Sequence, residues 1–151
     1  MPALHRRGFT MVEMLIVVMT VGILASVAYP TLSRSLASHT VDGAASVMAA
    51  DIETAFSLAA RSRRPVIFAC NVSLRQCRVT DQATGAVHFQ RSYDRSSGLE
   101  LASMTWAPTN SSRPVVVGSS GIASQGFTVT LTHGSSEKRV IALRSGLVRI
   151  N

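Results

Sequence analysis

The amino-acid sequence predicts an α+β protein in which a long N-terminal helix packs against a C-terminal antiparallel β domain. The apolar segment 9–29 leads into segment 31–61, whose apolar residues recur at spacings close to the helical period. From Val66 onward the hydrophobic period falls toward two, which is typical of β-strands. With 151 residues, the chain has room for one modest domain beyond the apolar segment.

The apolar segment 9–29 is long enough to cross a membrane as a helix. It contains one charged residue, Glu13, and at about 1.5 Å per residue it spans about 31 Å, the thickness of a bilayer core. Arg6 and Arg7 precede the segment, and basic residues favour the cytoplasmic side of a membrane. We therefore expect the short leader to stay in the cytoplasm and the C-terminal part of the chain to cross.

A cleaved secretory signal peptide is the alternative interpretation of this segment. Ala25-Ser26-Val27-Ala28 offers the small-x-small pattern of a cleavage site. Glu13 argues against that alternative, because a carboxylate costs about 2.5 to 3.5 kcal/mol at the bilayer midplane on insertion scales. A charge retained in such a helix requires a partner, which favours a permanent membrane helix.

The apolar spacing in segment 31–61 predicts the second half of the same helix. Its apolar residues form one stripe, which is expected to face a sheet. The stripe consists of Leu32, Leu36, Val41, Ala45, Met48, Ile52, Ala55 and Ala59. Asp42, Asp51 and Glu53 are expected to lie off the stripe. Pro30 removes one backbone donor, so we expect it to bend the helix without ending it.

The helix is expected to end in the basic cluster Arg61-Ser62-Arg63-Arg64-Pro65. Basic residues in the last turn interact favourably with the helix dipole, and a proline just beyond them stops the helix. Contact with DNA or another anion is the second interpretation of this cluster. It ranks lower, because charge runs usually form solvated faces.

Eight short segments rich in Val, Ile, Phe and Thr predict the strands of the antiparallel β domain. They are 65–70, 76–80, 86–90, 99–106, 114–118, 127–132, 139–144 and 147–150. Segments 127–132 and 139–143 are expected to pair as a hairpin around His133-Gly134-Ser135-Ser136. Segments 108–113 and 118–126 are expected to be loops.

The charge and the cysteine content restrict the compartment and the partners. The chain has 15 basic and 8 acidic residues, a net charge of +7, and loss of Arg6 and Arg7 with a leader would lower it to +5. Cys70 and Cys77 lie close in sequence, and a translocated domain meets an oxidising compartment, so a local disulfide is predicted. The four histidines are scattered singly, so we predict no metal site and no cofactor.

No motif in the sequence sets the geometry of a catalytic site. The sequence has no Walker-type phosphate loop and no Gly-x-Ser-x-Gly elbow, and Ser119-Ser120-Gly121 is typical of a flexible loop. We therefore predict that the chain is not an enzyme.

The junction between the leader and the apolar segment resembles the class III signal of type IV prepilins and pseudopilins. The resemblance rests on Gly8-Phe9-Thr10-Met11-Val12-Glu13, on the apolar helix that follows and on Pro30. It implies that a membrane prepilin peptidase cleaves between Gly8 and Phe9 and methylates the new N-terminus at Phe9. It also implies that the apolar helix remains attached after cleavage.

Glu13 would be the fifth residue of the mature chain, and the resemblance implies a role for it in assembly. Its carboxylate would pair with the Phe9 amine of a neighbouring subunit, because mutual neutralisation offsets the cost of burying either charge. The alternative is that Glu13 lies in the first helical turn, where the helix dipole stabilises it and the headgroups lie within reach.

The order of the parts resembles the GspH/FimT group of minor pilins and pseudopilins. A long N-terminal helix is followed by a strand that ends in cysteine and by a β domain that closes on a short strand. Ala60-Arg61-Ser62 and Ser145-Gly146-Leu147-Val148-Arg149 are further points of similarity. The resemblance implies a type IV pilin-like fold and a minor structural subunit of a pilus or of a type II secretion pseudopilus. Its partners would be other pilins or pseudopilins in a hetero-oligomeric filament.

The motif, the helix and the β pattern together divide the chain into four expected regions. These are a leader at 1–8, a transmembrane and assembly helix at 9–29, the periplasmic half of the helix at 30–64, and a β domain at 65–151. We expect a single-pass protein of the bacterial inner membrane with its C-terminal domain in the periplasm, and incorporation into a filament after processing.

A DNA-binding minor pilin that acts in DNA uptake is the alternative function. FimT-like proteins that bind DNA carry Gly-Arg-x-Arg near the C-terminus, and the corresponding residues here are Gly146-Leu147-Val148-Arg149. Leucine replaces the first arginine, which removes one phosphate contact. Arg139, Arg144 and Arg149 would have to share a face to form such a site. The competing interpretation is a tight turn at Gly146 with an exposed arginine at the end of the strand.

Overall fold

The computed structural model describes residues 9–94, 97–99, 101–111 and 114–151 of the chain. These residues form one long helix followed by eight strands, as the sequence predicts. The chain divides into two units by its internal contacts, Met1–Ser35 and Leu36–Asn151. Only residues 9–35 of the first unit are described.

Helix α1 runs from Met11 to Ser62 and begins with a side-chain cap. The backbone N–H of Glu13 donates to Oγ1 of Thr10 at 3.2 Å, so Thr10 caps one of the free donors of the first turn. The helix ends where Arg63 adopts a φ of 53°, a left-handed conformation typical of the residue just beyond a helix. The predicted span from Phe9 to about Arg61 therefore differs from the observed one by two residues at its start and one at its end.

Eight strands follow, and all their pairings are antiparallel. They are β1 (Val66–Asn71), β2 (Gln76–Asp81), β3 (Val87–Ser92), β4 (Ser103–Pro108), β5 (Val115–Val117), β6 (Phe127–His133), β7 (Ser136–Ala142) and β8 (Val148–Ile150). They form two four-stranded sheets, in the orders β3-β2-β1-β5 and β4-β6-β7-β8. The antiparallel β domain is confirmed, whereas the division into two sheets was not predicted.

The β6–β7 hairpin turns at the residues that the sequence predicts, although β7 begins at Ser136 and not at the predicted residue 139. His133 pairs with Ser136, which leaves Gly134 and Ser135 as the central residues of a two-residue loop. Gly134 has a φ of 58°, as such tight hairpin turns require. Strand β4 begins at Ser103 rather than at the predicted residue 99, because the backbone N–H of Leu101 donates to the carbonyl of Tyr93 instead of joining the β4–β6 ladder.

The core of the C-terminal unit lies between the second half of α1 and the two sheets. Six residues of the predicted stripe are buried, namely Val41, Ala45, Met48, Ile52, Ala55 and Ala59. Leu36 is 59% exposed, so the buried stripe begins later than predicted. Asp51 is also placed differently, because it is buried together with Met48 and Ile52 rather than lying off the stripe.

Three aromatic rings join the two sheets. Phe68 of β1 stacks on Phe127 of β6 with ring centroids 5.3 Å apart, and Trp106 of β4 lies 4.7 Å from Phe127 and 5.7 Å from Phe68. Aromatic pairs at such distances contribute about 0.5 to 1.5 kcal/mol beyond the burial of their area. Because these residues belong to different sheets, the cluster connects the two halves of the β domain.

Candidate assembly helix and surface arginines

The first part of α1 exposes an apolar surface on all its sides. Every described side chain from residue 9 to residue 35 is exposed, including Ile16 at 55% and Leu24 at 70%. Its most apolar window has a mean hydropathy of 2.3, and by length and composition the helix could cross a membrane. An all-round apolar helix has to be covered by lipid or by other helices, so this surface is a candidate site of anchoring and assembly.

Phe9 lies two residues before α1 begins, and Glu13 lies in the first turn of the helix. Phe9 is 73% exposed and Glu13 is exposed as well, so both can reach a neighbouring molecule. Gly8 lies outside the described residues. The hydrogen bond between Thr10 and Glu13 caps the helix and was not predicted from the sequence. A usable signal was present, because Thr-x-x-Glu before an apolar run is typical of a helix start. This cap puts Glu13 at the positive end of the helix dipole.

Cys70 and Cys77 form a disulfide. The two residues are direct partners in the β1–β2 register, and their Cα atoms lie 4.0 Å apart. The bond closes the β1–β2 turn, in which the backbone N–H of Arg75 donates to the carbonyl of Val72 at 3.2 Å. The disulfide therefore holds the two ends of one turn together, which is the local role that the short sequence separation predicts.

Asp51 of α1 forms a buried polar cluster with Arg91 of β3 and Tyr93, the residue that follows this strand. Arg91 donates from Nε to the Asp51 Oδ2 at 2.6 Å, and the hydroxyl of Tyr93 donates to the same oxygen at 2.7 Å. Tyr93 is fully buried and the Asp51 side chain is 8% exposed, whereas the Arg91 side chain is 48% exposed. The cluster fixes the helix against β3 and the segment that follows it.

Burial and charge shift the pKa of both partners of Asp51. Burial raises the pKa of Tyr93 strongly, and the hydrogen bond to the Asp51 carboxylate raises it further. The hydrogen bond and the charge of Asp51 also raise the pKa of Arg91. Tyr93 therefore remains a neutral hydrogen-bond donor and Arg91 a cation throughout the physiological pH range. Such a fixed arrangement stabilises the contact between the helix and the sheet.

The structure brings two of the three candidate DNA-binding arginines together. Val140 and Ala142 of β7 are buried, so Arg139 faces the opposite side of the sheet, which is open to solvent. Arg149 pairs with Ile141 in the β7–β8 register and lies on the same outer face as Arg139. Arg139 also donates to Glu137 at 2.9 Å, which neutralises part of its charge.

Arg144 lies apart from this pair, in the turn between β7 and β8. Its Nε donates to the carbonyl of Ala123 at 3.2 Å, and its own carbonyl accepts from the Ala123 N–H at 2.8 Å. Arg144 therefore ties the 118–126 loop to the β7–β8 turn. The sequence held no local signal for this contact, because it joins residues 21 positions apart.

Gly146 has a structural role in the same turn. Its φ is 85°, and a Cβ at this position would lie 3.0 Å from Cδ1 of Phe56 on α1. Its N–H donates to the carbonyl of Leu143 at 3.0 Å, as in a tight turn. The structure thus agrees with the interpretation of Gly146 as a turn residue before an exposed Arg149.

The basic cluster at the end of α1 remains largely exposed. Arg61, Arg63 and Arg64 are exposed, and Nη1 of Arg64 lies 3.9 Å from Oδ2 of the buried Asp81. The backbone N–H of Thr84 donates to the Asp81 carboxylate and lowers its pKa, and the N–H of Ala83 and the charge of Arg64 act in the same direction against burial. Asp81 therefore caps the β2–β3 turn as a carboxylate.

Comparison with known proteins agrees with this architecture. Residues 4–29 match the family model described as the prokaryotic N-terminal methylation motif, and residues 44–146 match the model described as type II transport protein GspH. Among solved structures, the chain is similar to the type IV minor pilin FimU of Pseudomonas aeruginosa strain PAO1, at 14% identity and a TM-score of 0.57. The similarity covers 74% of this chain and 87% of that chain. None of the curated proteins compared matches the sequence significantly.

A long N-terminal helix packed on antiparallel sheets, together with the methylation motif, defines a type IV pilin-like protein. The GspH match covers more than half of the chain, so the chain belongs to the GspH family. Both the family and the fold are those of structural pilins rather than of enzymes.

Proposed function

We propose that the chain is a minor structural subunit of a type IV pilus or of a type II secretion pseudopilus. In this proposal a prepilin peptidase cleaves after Gly8, Phe9 becomes the methylated N-terminus, and α1 assembles with the helices of other pilins or pseudopilins. The observation that carries the proposal is the apolar surface of residues 9–35, which is exposed on all sides and begins within the methylation motif at residues 4–29. Such a surface requires a membrane before assembly and other helices after it.

The proposed location is the bacterial inner membrane, with a single pass and the C-terminal domain in the periplasm. Segment 9–29 would span the bilayer, segment 30–64 would be the periplasmic half of the helix, and segment 65–151 the periplasmic β domain. Two features support this orientation. Arg6 and Arg7 lie before the apolar segment, and the Cys70–Cys77 disulfide suits an oxidising compartment.

Glu13 is proposed to pair with the Phe9 amine of the next subunit in the filament. Both residues are exposed at the start of α1, and the new N-terminus would carry a positive charge after cleavage. We expect Glu13→Ala to be processed normally and to be incorporated into filaments at least tenfold less than the wild type. Incorporation at the wild-type level would show that Glu13 only stabilises the start of α1, through the helix dipole and the hydrogen bond to Thr10.

Processing provides the most direct test of the proposed function. We expect Gly8→Ala to accumulate as the uncleaved chain in membranes, because the peptidase would no longer recognise its site. Gly22→Ala is the matched control, since a Cβ at Gly22 meets nothing within 4 Å. Mass spectrometry of the wild type should show N-methylphenylalanine at position 9. Normal maturation of Gly8→Ala would refute the proposal.

DNA binding is the second candidate function, and the shared face of Arg139 and Arg149 favours it. Two arginines on one open sheet face can contact successive phosphates. The absence of arginine at position 147 and the ion pair of Arg139 with Glu137 reduce the charge that this surface offers, and Arg144 lies apart from it in the β7–β8 turn.

The test is DNA binding by the full chain in detergent, titrated at several salt concentrations. If DNA is bound, the logarithm of the binding constant should fall linearly with the logarithm of the salt concentration. Arg139→Ala/Arg149→Ala should reduce the magnitude of this slope by about 2, one for each lost phosphate contact. Arg78→Ala, an exposed arginine on the other sheet, is the control. No binding at low salt would exclude this second candidate.

A further inference from the structure

Three large aliphatic side chains are exposed where two loops of the β domain meet. Ile122 in the 118–126 loop is 53% exposed, and Leu143 and Leu147 in the β7–β8 turn are 43% and 50% exposed. Ala123 and Arg144 join the two loops by two hydrogen bonds, and the N–H of Leu143 donates to the carbonyl of Leu147 at 2.9 Å. We refer to Ile122, Leu143, Arg144 and Leu147 as the loop patch.

The loop patch rests on the last turns of α1, so its shape is fixed before any partner binds. A Cβ at Gly146 would lie 3.0 Å from Phe56, and one at Gly121 would lie 3.9 Å from the Cβ of Ala60. Phe56 and Ala60 are one helical turn apart, and each supports one of the two loops. A surface that is already ordered loses little conformational entropy on binding.

The segments that form and support the loop patch carry only positive charge. The three segments that form it and support it are 57–64, 118–126 and 143–147, and they contain four arginines and no Asp or Glu. The arginines are Arg61, Arg63, Arg64 and Arg144. The nearby carboxylate that the structure shows is that of the buried Asp81, which lies 3.9 Å from Arg64. The patch is therefore an apolar surface that is formed and supported by basic segments.

Arg144 is positioned to recognise a carboxylate. The hydrogen bond from its Nε to Ala123 fixes the plane of the guanidinium. A guanidinium held in one orientation can bind a carboxylate with two parallel hydrogen bonds, which gives geometric specificity as well as energy. Two leucines beside such a group provide the apolar centre that protein interfaces commonly have.

We propose that the loop patch is the docking surface for a different protein subunit, one that presents an apolar side chain flanked by Asp or Glu. This inference rests on the proposed function, in which that partner is another pilin or pseudopilin of the same filament. A symmetric contact between two copies of the patch would bring like charges together and is disfavoured. An anionic lipid surface would attract the arginines, but it would make no use of an oriented guanidinium between two fixed loops.

Photo-crosslinking of the full chain in its own cells tests this inference. The photoreactive residue p-benzoylphenylalanine replaces Ile122, and the crosslinked peptides are identified by mass spectrometry. We expect a crosslink to another protein with a prepilin leader, at a segment that contains Asp or Glu. Leu143→Ser/Leu147→Ser should lower the yield of this crosslink at least tenfold. Val72→Ser/Leu74→Ser, which changes equally exposed residues of the β1–β2 turn, should leave the yield within twofold.

Charge exchange separates recognition from mere loss of structure. Arg144→Glu should abolish the crosslink, and exchange of the partner's crosslinked Asp or Glu for Arg should restore it in the same cells. A disrupted loop could not be restored in this way. Crosslinks to phospholipid or nucleic acid, crosslinks to a segment without carboxylates, or an unchanged yield in the double serine variant would overturn the inference.

Failure of the inference and failure of the proposed function give different results. Leader cleavage and filament incorporation are measured in the same cells. If the chain is processed and incorporated while the double serine variant crosslinks like the wild type, the docking surface is wrong and the proposed function stands. If the wild-type chain is neither processed nor incorporated, the proposed function itself is wrong.

Discussion

The two halves of helix α1 have similar apolar content but opposite environments. From residue 9 to residue 35 every described side chain is exposed, whereas residues such as Val41, Met48 and Ile52 are fully buried. The second half has polar residues on its outer side, including Glu53 and Thr54, and it packs on the sheets through one face. Among the residues that the structure describes, the first half has no continuous polar side, and none of these residues is covered within its own unit. Hydrophobicity alone therefore does not define a core, and the distribution of polar residues around the helix decides what has to cover it.

The largest expected effect comes from the same substitution made in each half. Met48→Ala should lower the free energy of unfolding by about 2 to 5 kcal/mol, because it leaves a cavity in the core. Met14→Ala changes a side chain that is 57% exposed and should shift this free energy by less than about 0.5 kcal/mol. Urea unfolding of the full chain in detergent, followed by the fluorescence of Trp106, measures both. Equal effects would mean that the first half also belongs to the cooperative core.

Removal of the contact between Asp51 in the buried half of α1 and its partners Arg91 and Tyr93 should have the next largest effect. Asp51→Ala removes two hydrogen bonds to a charged group, so we expect a loss of about 2 to 4 kcal/mol. Tyr93→Phe removes one of these bonds and should cost about 1 to 2 kcal/mol. Glu53→Ala, an exposed acidic residue on the same helix, is the control and should change stability little. A small effect of Asp51→Ala would show that Arg91 and Tyr93 find water instead.

Glycine substitutions should separate the open positions from the packed ones. Gly43 lies inside α1, and a Cβ at this position would have nothing within 4 Å, so Gly43→Ala should raise stability by about 0.5 to 1 kcal/mol through helix propensity. Gly146→Ala should instead lower stability, because its φ is 85° and Phe56 occupies the space. The same unfolding experiment compares the two. A stabilising Gly146→Ala would contradict the turn described above.

The smallest expected effect concerns acid and the turn at Asp81. Its folded pKa lies below the ordinary value of 3.8, so the unfolded chain takes up the proton first as the pH falls. The stability contributed by Asp81 is therefore present above about pH 3.8 and is lost as the pH falls through the folded pKa. Asp81→Asn should make the free energy of unfolding less dependent on pH in this range. The slope against pH should fall by at most the amount that corresponds to one bound proton. An unchanged slope would show that the turn tolerates the neutral acid.

Much of the fold was predictable because its signals are local. The helix, the eight strands and the β6–β7 turn follow from period, from turn residues and from the proline after the helix. The start of β4 was misplaced, because Leu101 bonds to Tyr93 rather than to the ladder. The position of Asp51 had a usable signal, since it lies three residues after Met48 and four before Ala55, on the buried face.

The two candidate sites, the start of α1 and the surface arginines, also differ in how far the sequence predicts them. The start of α1 is a local feature, and the sequence contains both the methylation motif and the Thr10–Glu13 cap. The sequence could not predict which of the surface arginines share a face and which are engaged in other contacts. Arg139 and Arg149 share a face only because β8 pairs with β7, and Arg144 is engaged only because the 118–126 loop returns to the β7–β8 turn.

The sequence by itself determined the order of the elements, the apolar character of the first helix half and the family motif at its start, because each depends on residues close together in the chain. Only the tertiary structure decided that β1 pairs with β5, that Asp51 meets Arg91 and Tyr93 some 40 and 42 residues away, and that Ala123 is hydrogen-bonded to Arg144. These contacts join distant segments. Their formation depends on the packing of the whole domain, which no local pattern specifies.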